Sequence, residues 1–366
     1  MEGEIIYPYC SLDKEISNFI KVWVSVSISR LYCKFTSKII PKGLPRLLTF
    51  FPVVCLFLYL PLHLHSAHLG GMTSFFIAWL SNFKLLLLAF DKGPLSDPTL
   101  SPSQFLAIGC FPIRKTEPKN PRQESKQGHK PVWNYILKGL LLAAFVQIYH
   151  YSEHIHPKFI LVIYSFHIYF LLELMLAVVA ALVRATLGLQ LEPQFNEPYL
   201  STSLQDFWGS RWNMMVPRAL RPTVYNPTLS VWTWIVGRES ASLPAVLAAF
   251  VVSAVMHELM FYYLGRKRPN WEITWFFILH GVCLVVEIAT KKALKGRYRL
   301  PPVISTTLTV GFVMVTGFWL FFPPFLRCKP DARAFKEYAI LGAFVKDVVL
   351  GGAVKLRHFN GSLTSH

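Results

Sequence analysis

Charge is what this sequence has least of. Asp, Glu, Lys and Arg make up 16% of its 366 residues, against about 25% in soluble domains. That is too little to cover the surfaces of the two or three soluble domains the length would allow. Paired cysteines are lacking as well. Cys10, Cys33, Cys55, Cys110, Cys283 and Cys328 are scattered without CxxC spacing, so small buried apolar residues are expected rather than a disulfide framework or a metal site. The first eighteen residues are polar and mildly acidic and are not expected to act as a cleavable secretory signal.

Several reactive motifs are missing too. There is no GxSxG elbow and no GxxxxGK[ST] loop, which disfavours acyl-enzyme hydrolases and nucleoside triphosphatases. No HxxxD occurs, which excludes the acyltransferases that rely on that motif. Two histidine clusters, HLHSAH (His63, His65, His68) and HYSEHIH (His150, His154, His156), invite comparison with the boxes of membrane di-iron oxidases and desaturases. A third, HxxHH-type box is lacking. That class stays as the alternative of another kind, beside a non-catalytic lipid or solute carrier, and no metal ligand is assigned.

What is present is apolar surface. The apolar set supplies 53% of residues, aromatics 15%, and mean hydropathy is +0.40. The net charge of +17 sits in short basic stretches between apolar runs, as in loops facing an anionic leaflet. With neither zinc-finger spacing nor an aromatic-rich basic groove, nucleic acid is not an expected partner.

About eight segments reach spanning length: 19–35, 47–64, 72–90, 133–149, 158–187, 243–264, 271–290 and 303–326. The first is weak, interrupted by Lys21, Arg30 and Lys34. Long runs broken at Gly and Pro mean helices rather than barrel strands. The expected fold is all-α, a polytopic membrane helix bundle. Its expected parts are a polar extension over 1–18, an embedded domain over 19–326 and a tail over 327–366. Within the domain, 91–132 is expected to be a mobile loop. Alternate connections at 37–46, 91–132, 189–242 and 291–302 hold 19 Lys and Arg, and the opposite set holds 11. The first set is therefore expected on the cytosolic side.

The connection at 189–242 is unlike the others. It interleaves Phe207, Trp208, Trp212, Met214 and Met215 with Asp206, Arg211, Asn213, Arg218 and Arg221. Such a segment lies in the interface or re-enters the bundle, since irregular backbone inside a membrane needs protein or a cavity beside it. An aromatic belt anchoring a loop accounts for it equally well. Beyond it, LPAVLAAFVVSAVMHELMFYYL places His257 and Glu258 deep in an apolar helix. An ionisable group there faces a bundle interior or a cavity and by default marks function; a histidine hydrogen-bonded to a neighbouring helix is the plainer alternative. Glu258 points about 100° away from His257 and is expected to partner a buried base such as Lys84 or Arg184. His167, Glu173, His280 and Glu287 are expected to join helices by hydrogen bonds.

These residues carry a resemblance. FWGSRWN, the proline and tyrosine of RALRPTVYNP, and an intramembrane histidine 44 residues after Asn213 resemble the membrane-bound O-acyltransferase superfamily. PQFNEPYLSTSLQDFWGSRWNMMVP, SAVMHELMFYYLGRKRPNWEITWFFILHGVC, WLSNFKLLLLAFDKGPLS and LTVGFVMVTGFWLFFP are similar to its plant wax synthase family. That family also includes acyl-CoA:sterol acyltransferases and diacylglycerol acetyltransferases. The resemblance covers nearly all of the chain after about residue 17. It departs at Ser210, where relatives often place arginine, so no phosphate-binding role is expected there.

The resemblance implies an acyl-CoA-dependent O-acyltransferase that forms neutral lipid esters. Wax ester from a long-chain alcohol is the first expectation, with a sterol or other triterpenoid alcohol, or diacylglycerol, as alternative acceptors. It implies catalytic roles for His257, as the base, and Asn213, as a donor near the developing oxyanion. Phe207, Trp208, Arg211, Trp212, Arg218 and Arg221 become candidate substrate-binding residues, the three arginines for the phosphates of CoA. Acyl-CoA is then a substrate, no cofactor is required, and the acceptor arrives from membrane lipid. A multi-pass protein of the endoplasmic reticulum membrane is expected.

Overall fold

The computed structural model of the chain describes residues 12–113, 131–188, 194–294, 300–330 and 333–340, together with 342 and 346. Apolar runs of about 20 residues can satisfy their backbone only as helices in a membrane, and helices are what form. In chain order they are α1 (Leu12–Ile39), α2 (Leu44–His63), α3 (His68–Ala89), α4 (Pro102–Cys110), α5 (Val132–Tyr149) and α6 (Pro157–Leu187). A broken stretch with short helices α7 (Met215–Leu220) and α8 (Asn226–Val236) follows, then α9 (Ser242–Gly265), α10 (Glu272–Ala293) and α11 (Pro302–Arg327). Seven of these, α2, α3, α5, α6, α9, α10 and α11, are long and apolar enough to cross a membrane. The chain is a multi-pass membrane protein.

Punctuation in the sequence sets the ends. Proline occupies the first turn of α2, α4, α6 and α11, where its missing N–H costs nothing. Ser101 and Gln104 form a reciprocal capping box on α4. Gly188 takes the left-handed conformation that closes α6.

The expected first span is a helix, α1, but Lys21, Arg30 and Lys34 leave it too polar to count among the seven. Arg30 is fully buried and donates to Ser81, and Gly109 is required beside it because any side chain there would meet the guanidinium. Residues 12–18 are part of the bundle rather than a separate extension: Glu15 is 7% exposed and accepts the N–H groups of His65 and Ser66 at 2.9 and 2.8 Å. The loop expected to be mobile is folded over its first half. There α4 packs Phe105 and Ile108 against Val26 and Leu85; the stretch 114–130 lies outside the described residues. The tail also begins inside the structure. Arg333 donates to His65 and Leu264, and Glu337 accepts from Ala67, His68 and the His68 ring. Burial opposes charge on Glu337, but the hydrogen bonds from His68 and Ala67 outweigh it and hold the carboxyl below its ordinary range.

These ties gather the helix ends into two groups. At one end, Arg46 reaches Ile40 and Leu88, and Lys292 reaches Glu239 and Ser242. At the other, residues 15, 63–68, 264–266 and 333–338 meet, with Arg266 donating to Pro61, Leu62 and Leu64. Between them α9 and α10 run as an antiparallel pair, in close approach where Gly281 meets Phe250.

Candidate active site

A cavity of about 940 Å³ passes through the bundle. Ser242, Val246, Ala249, Ser253, His257, Met260 and Leu264 form one stripe of its wall, the i, i+4, i+7 spacing of a single helix face. Ser242 and Leu264 lie at opposite ends of α9, so the cavity follows that helix for about 33 Å. Its remaining walls come mainly from α3, α6, α10, α11 and the 194–225 stretch, with Tyr149 of α5 and Pro330, Ala334 and Phe335 of the tail. Four π-helical turns, Phe75–Ser81, Phe207–Arg211, Arg221–Tyr225 and Gly317–Phe321, each put residues on that wall. Such turns widen a helix locally and recur at functional sites.

His257 stands about 22 Å along α9 from Ser242. Its Nδ1 lies 2.7 Å from the carbonyl of Ser253. A carbonyl can only accept, so Nδ1 carries the proton and Nε2 is left for the cavity. No described residue hydrogen-bonds that nitrogen. The ring is held by Phe277, with centroids 4.2 Å apart, and by Trp79 edge-on at 5.6 Å. Trp79 belongs to the WLSNFK stretch of α3, whose resemblance to the family carried no assigned role.

Asn213 also lines the cavity. Its backbone is held at φ 40°, a left-handed conformation that asparagine tolerates better than most residues. The turn around it is fixed by Met214 N–H to Gln194 O at 2.8 Å and Asn196 N–H to Arg211 O at 2.9 Å. The side-chain Oδ1 is buried without a partner among the described residues. A buried polar atom without a partner is costly to the fold.

The connection re-enters the bundle. Glu287 accepts the N–H groups of Leu204 and Gln205 at 2.8 and 3.3 Å, near one end of α10. Trp208 Nε1 donates to His280 Nδ1 at 3.1 Å, seven residues deeper on the same helix, a descent of about 10 Å. His280, fully buried, donates onward from Nε2 to Thr316 at 2.8 Å. The expectation that His280 and Glu287 join elements by hydrogen bonds holds, and what they join is the FW motif. His167 likewise contacts Tyr149 and Tyr338, and Glu173 pairs with Lys138 at 2.6 Å. Glu258 is a correction. It accepts the N–H and hydroxyl of Thr274 at 3.1 and 3.0 Å, because Lys84 is already spent on the carbonyls of Ile108 and Phe111 at the end of α4.

Of the candidate substrate-binding residues, Phe207, Trp208, Trp212 and Arg221 line the cavity with His257 and Asn213. Arg211 and Arg218 do not. The Arg211 guanidinium donates to Asp206 at 2.7 Å and to the carbonyls of Asn196 and Glu197, so it shapes the loop. Arg218 is exposed, outside the cavity wall. Lys292, which sequence reasoning passed over as a loop cation, lines the cavity beside Ser242.

The histidine clusters have other employment. His68 bridges Glu337 at 2.6 Å and Tyr338 at 3.0 Å, His63 meets the Leu60 carbonyl, His150 meets that of Val146, and His156 caps α6. Among the described residues no three His, Cys, Asp or Glu side chains are grouped to hold a metal ion.

Residues 191–279, from the re-entrant stretch to α10, match the model of the membrane bound O-acyl transferase family. The chain is 48% identical to acyl-CoA–sterol O-acyltransferase 1 of Arabidopsis thaliana, over 91% of this chain and 97% of that one. It is 44% identical to the long-chain-alcohol O-fatty-acyltransferase of Simmondsia chinensis, over 93% and 98%. With the probable long-chain-alcohol O-fatty-acyltransferase 3 of Arabidopsis thaliana it shares 47% identity, over 92% and 97%. A helix bundle enclosing a cavity with His257 and Asn213 on its wall, and relatedness along nearly its whole length, place this chain in the membrane-bound O-acyltransferase family, among the acyltransferases of its wax synthase branch.

Proposed function

We propose that the protein transfers an acyl group from acyl-CoA to a lipid alcohol, forming a neutral ester, with wax ester from a long-chain alcohol as the product. An alcohol is a weak nucleophile until its proton is removed. With Nδ1 held by Ser253, neutral His257 offers the Nε2 lone pair to that proton. The alcohol oxygen attacks the thioester carbonyl carbon, Nε2 takes the hydroxyl proton, and the C–S bond breaks. The proton then passes to the departing thiolate, leaving ester and CoA thiol. No covalent acyl-enzyme forms.

Asn213 meets the developing oxyanion through its amide N–H, a role that suits a side chain fixed on a rigid turn. The apolar wall excludes the water that would hydrolyse acyl-CoA. Lys292 sits at the Ser242 end and Arg221 lines the same cavity, where both suit the phosphates of CoA, and the acceptor arrives laterally from the lipid. The endoplasmic reticulum membrane, which faces a cytosolic acyl-CoA supply, is the proposed location.

The observation that carries this reading is one continuous cavity lined by His257, Asn213 and the FW motif. The 48% identity to a sterol acyltransferase favours a sterol as the second candidate acceptor. Expression in yeast lacking its own neutral-lipid acyltransferases, followed by whole-lipid mass spectrometry, tests both. New wax ester when fatty alcohol is fed supports the first reading. Sterol ester alone moves the acceptor to the second, and no ester of any kind refutes the reaction.

A further inference from the structure

Gly317 is a glycine that its backbone does not require. It opens the π-helical turn of α11 at φ −61°, ψ −46°, ordinary right-handed helical values that any residue adopts. Glycine in a helix interior costs about 1 kcal/mol relative to alanine, so some other need keeps the position small. Close packing is not that need. A Cβ at Gly281 would come within 2.9 Å of Phe250, and at Gly109 and Gly265 it would collide with Arg30 and Cys328. At Gly317 it would find nothing within 4 Å. The residue is nonetheless buried and forms part of the cavity wall. The missing side chain is space inside the cavity.

The position of that space is set by its neighbours. Thr316 hydrogen-bonds His280, which holds Trp208, and Phe277 of the same helix packs on His257. Gly317 therefore borders the cavity near the depth of His257 and far from the Lys292 end. Met314, Val313 and Val310 continue the same face of α11, while Val315 and Trp319 on its other side are exposed where lipid would lie. Volume there belongs to whatever enters from the bilayer and lies beside the bond being made.

We infer that Gly317 sets the girth of the acceptor alcohol, leaving beside His257 the room that a fused-ring alcohol such as a sterol occupies and a linear alcohol does not need. This rests on the acyltransferase reading above and deepens it. A larger residue at 317 is a gate that closes progressively on bulky acceptors.

The test compares purified wild type with Gly317→Ala, Gly317→Leu and, as a control, Gly311→Leu. Gly311 is on the same helix, also has open space at its Cβ, and does not line the cavity. Each is assayed with one acyl-CoA against a sterol and a linear C16 alcohol, and then with one alcohol against short and long acyl-CoA. Gly317→Leu is expected to lower kcat/KM for the sterol about tenfold or more relative to the linear alcohol. Gly317→Ala should fall between, and Gly311→Leu should leave the ratio unchanged. An unchanged ratio in Gly317→Leu, an equal loss with both alcohols, or a loss that follows acyl length would overturn the inference. Linear-alcohol turnover by Gly317→Leu shows that the variant is folded. Wild type that esterifies the linear alcohol but not the sterol would overturn the inference too, whereas wild type inactive with every alcohol would overturn the acyltransferase reading itself.

Discussion

At the scale of single residues, the site depends on which polar atoms are spent and which are left. His257 spends Nδ1 on Ser253, and Asn213 leaves Oδ1 unmet. His280, equally deep in the bundle, spends both nitrogens on Trp208 and Thr316 and has none left for substrate. Two intramembrane histidines that look alike in sequence thereby differ: His257 keeps a ring nitrogen without a partner among the described residues, and His280 keeps none. Asn213→Ala should keep the protein folded while lowering turnover about 10² to 10³-fold, as loss of one oxyanion donor does. Normal turnover with a raised acyl-CoA KM would show that Asn213 only positions substrate.

At the scale of elements, the apolar runs marked the helices well. The expected span at 133–149 is Val132–Tyr149, and that at 158–187 is Pro157–Leu187. Hydropathy is a property of contiguous residues, and so are spans. Contacts between distant segments were not legible. Nothing local to Glu258 says that its partner is Thr274 rather than Lys84, and nothing local to Arg211 says that Asp206 and two carbonyls occupy it. The folded half of the 91–132 loop was missed because α4 is only nine residues long, too short for a hydropathy signal despite its capping box. The proposed site residues His257 and Asn213 come from motif resemblance, whereas Trp79 and Phe277, which hold the histidine ring, needed the packing.

One inter-element contact makes a stability prediction. Lys138 of α5 and Glu173 of α6 pair at 2.6 Å with side chains 7% and 8% exposed, and Lys138 also lies over the Tyr169 ring. Lys138→Met leaves a buried carboxylate short of its cation, which costs about 3 to 5 kcal/mol. Replacing both residues by Met should restore most of that stability, because the pair's own desolvation cost is removed with it. Thermal unfolding in detergent measures this; a double variant no better than Lys138→Met would contradict it.

At the scale of the whole molecule, the cavity joins the two faces of the bundle, and the chemistry needs them to differ. CoA carries charge and stays outside the hydrocarbon, so only its pantetheine arm and thioester reach His257, about 22 Å from the Ser242 end. On the proposed path, with Lys292 at that end, the Ser242 end faces the acyl-CoA supply. On a cysteine-free background in sealed microsomes, a cysteine at Ser240 should react with an impermeant maleimide. One at Asn270, exposed at the opposite end, should react only after permeabilisation. The reverse pattern would invert the proposed path of acyl-CoA.

The central claim is that His257 takes the proton of the acceptor alcohol. Its most direct test is release of CoA thiol by purified wild type and His257→Ala, each given acyl-CoA and alcohol. His257 is only partly buried and lines a cavity, so the variant should fold and stay membrane-inserted. Its turnover should fall about 10² to 10⁴-fold, the contribution of a general base. A folded His257→Ala protein that keeps more than about a tenth of wild-type turnover would contradict the account.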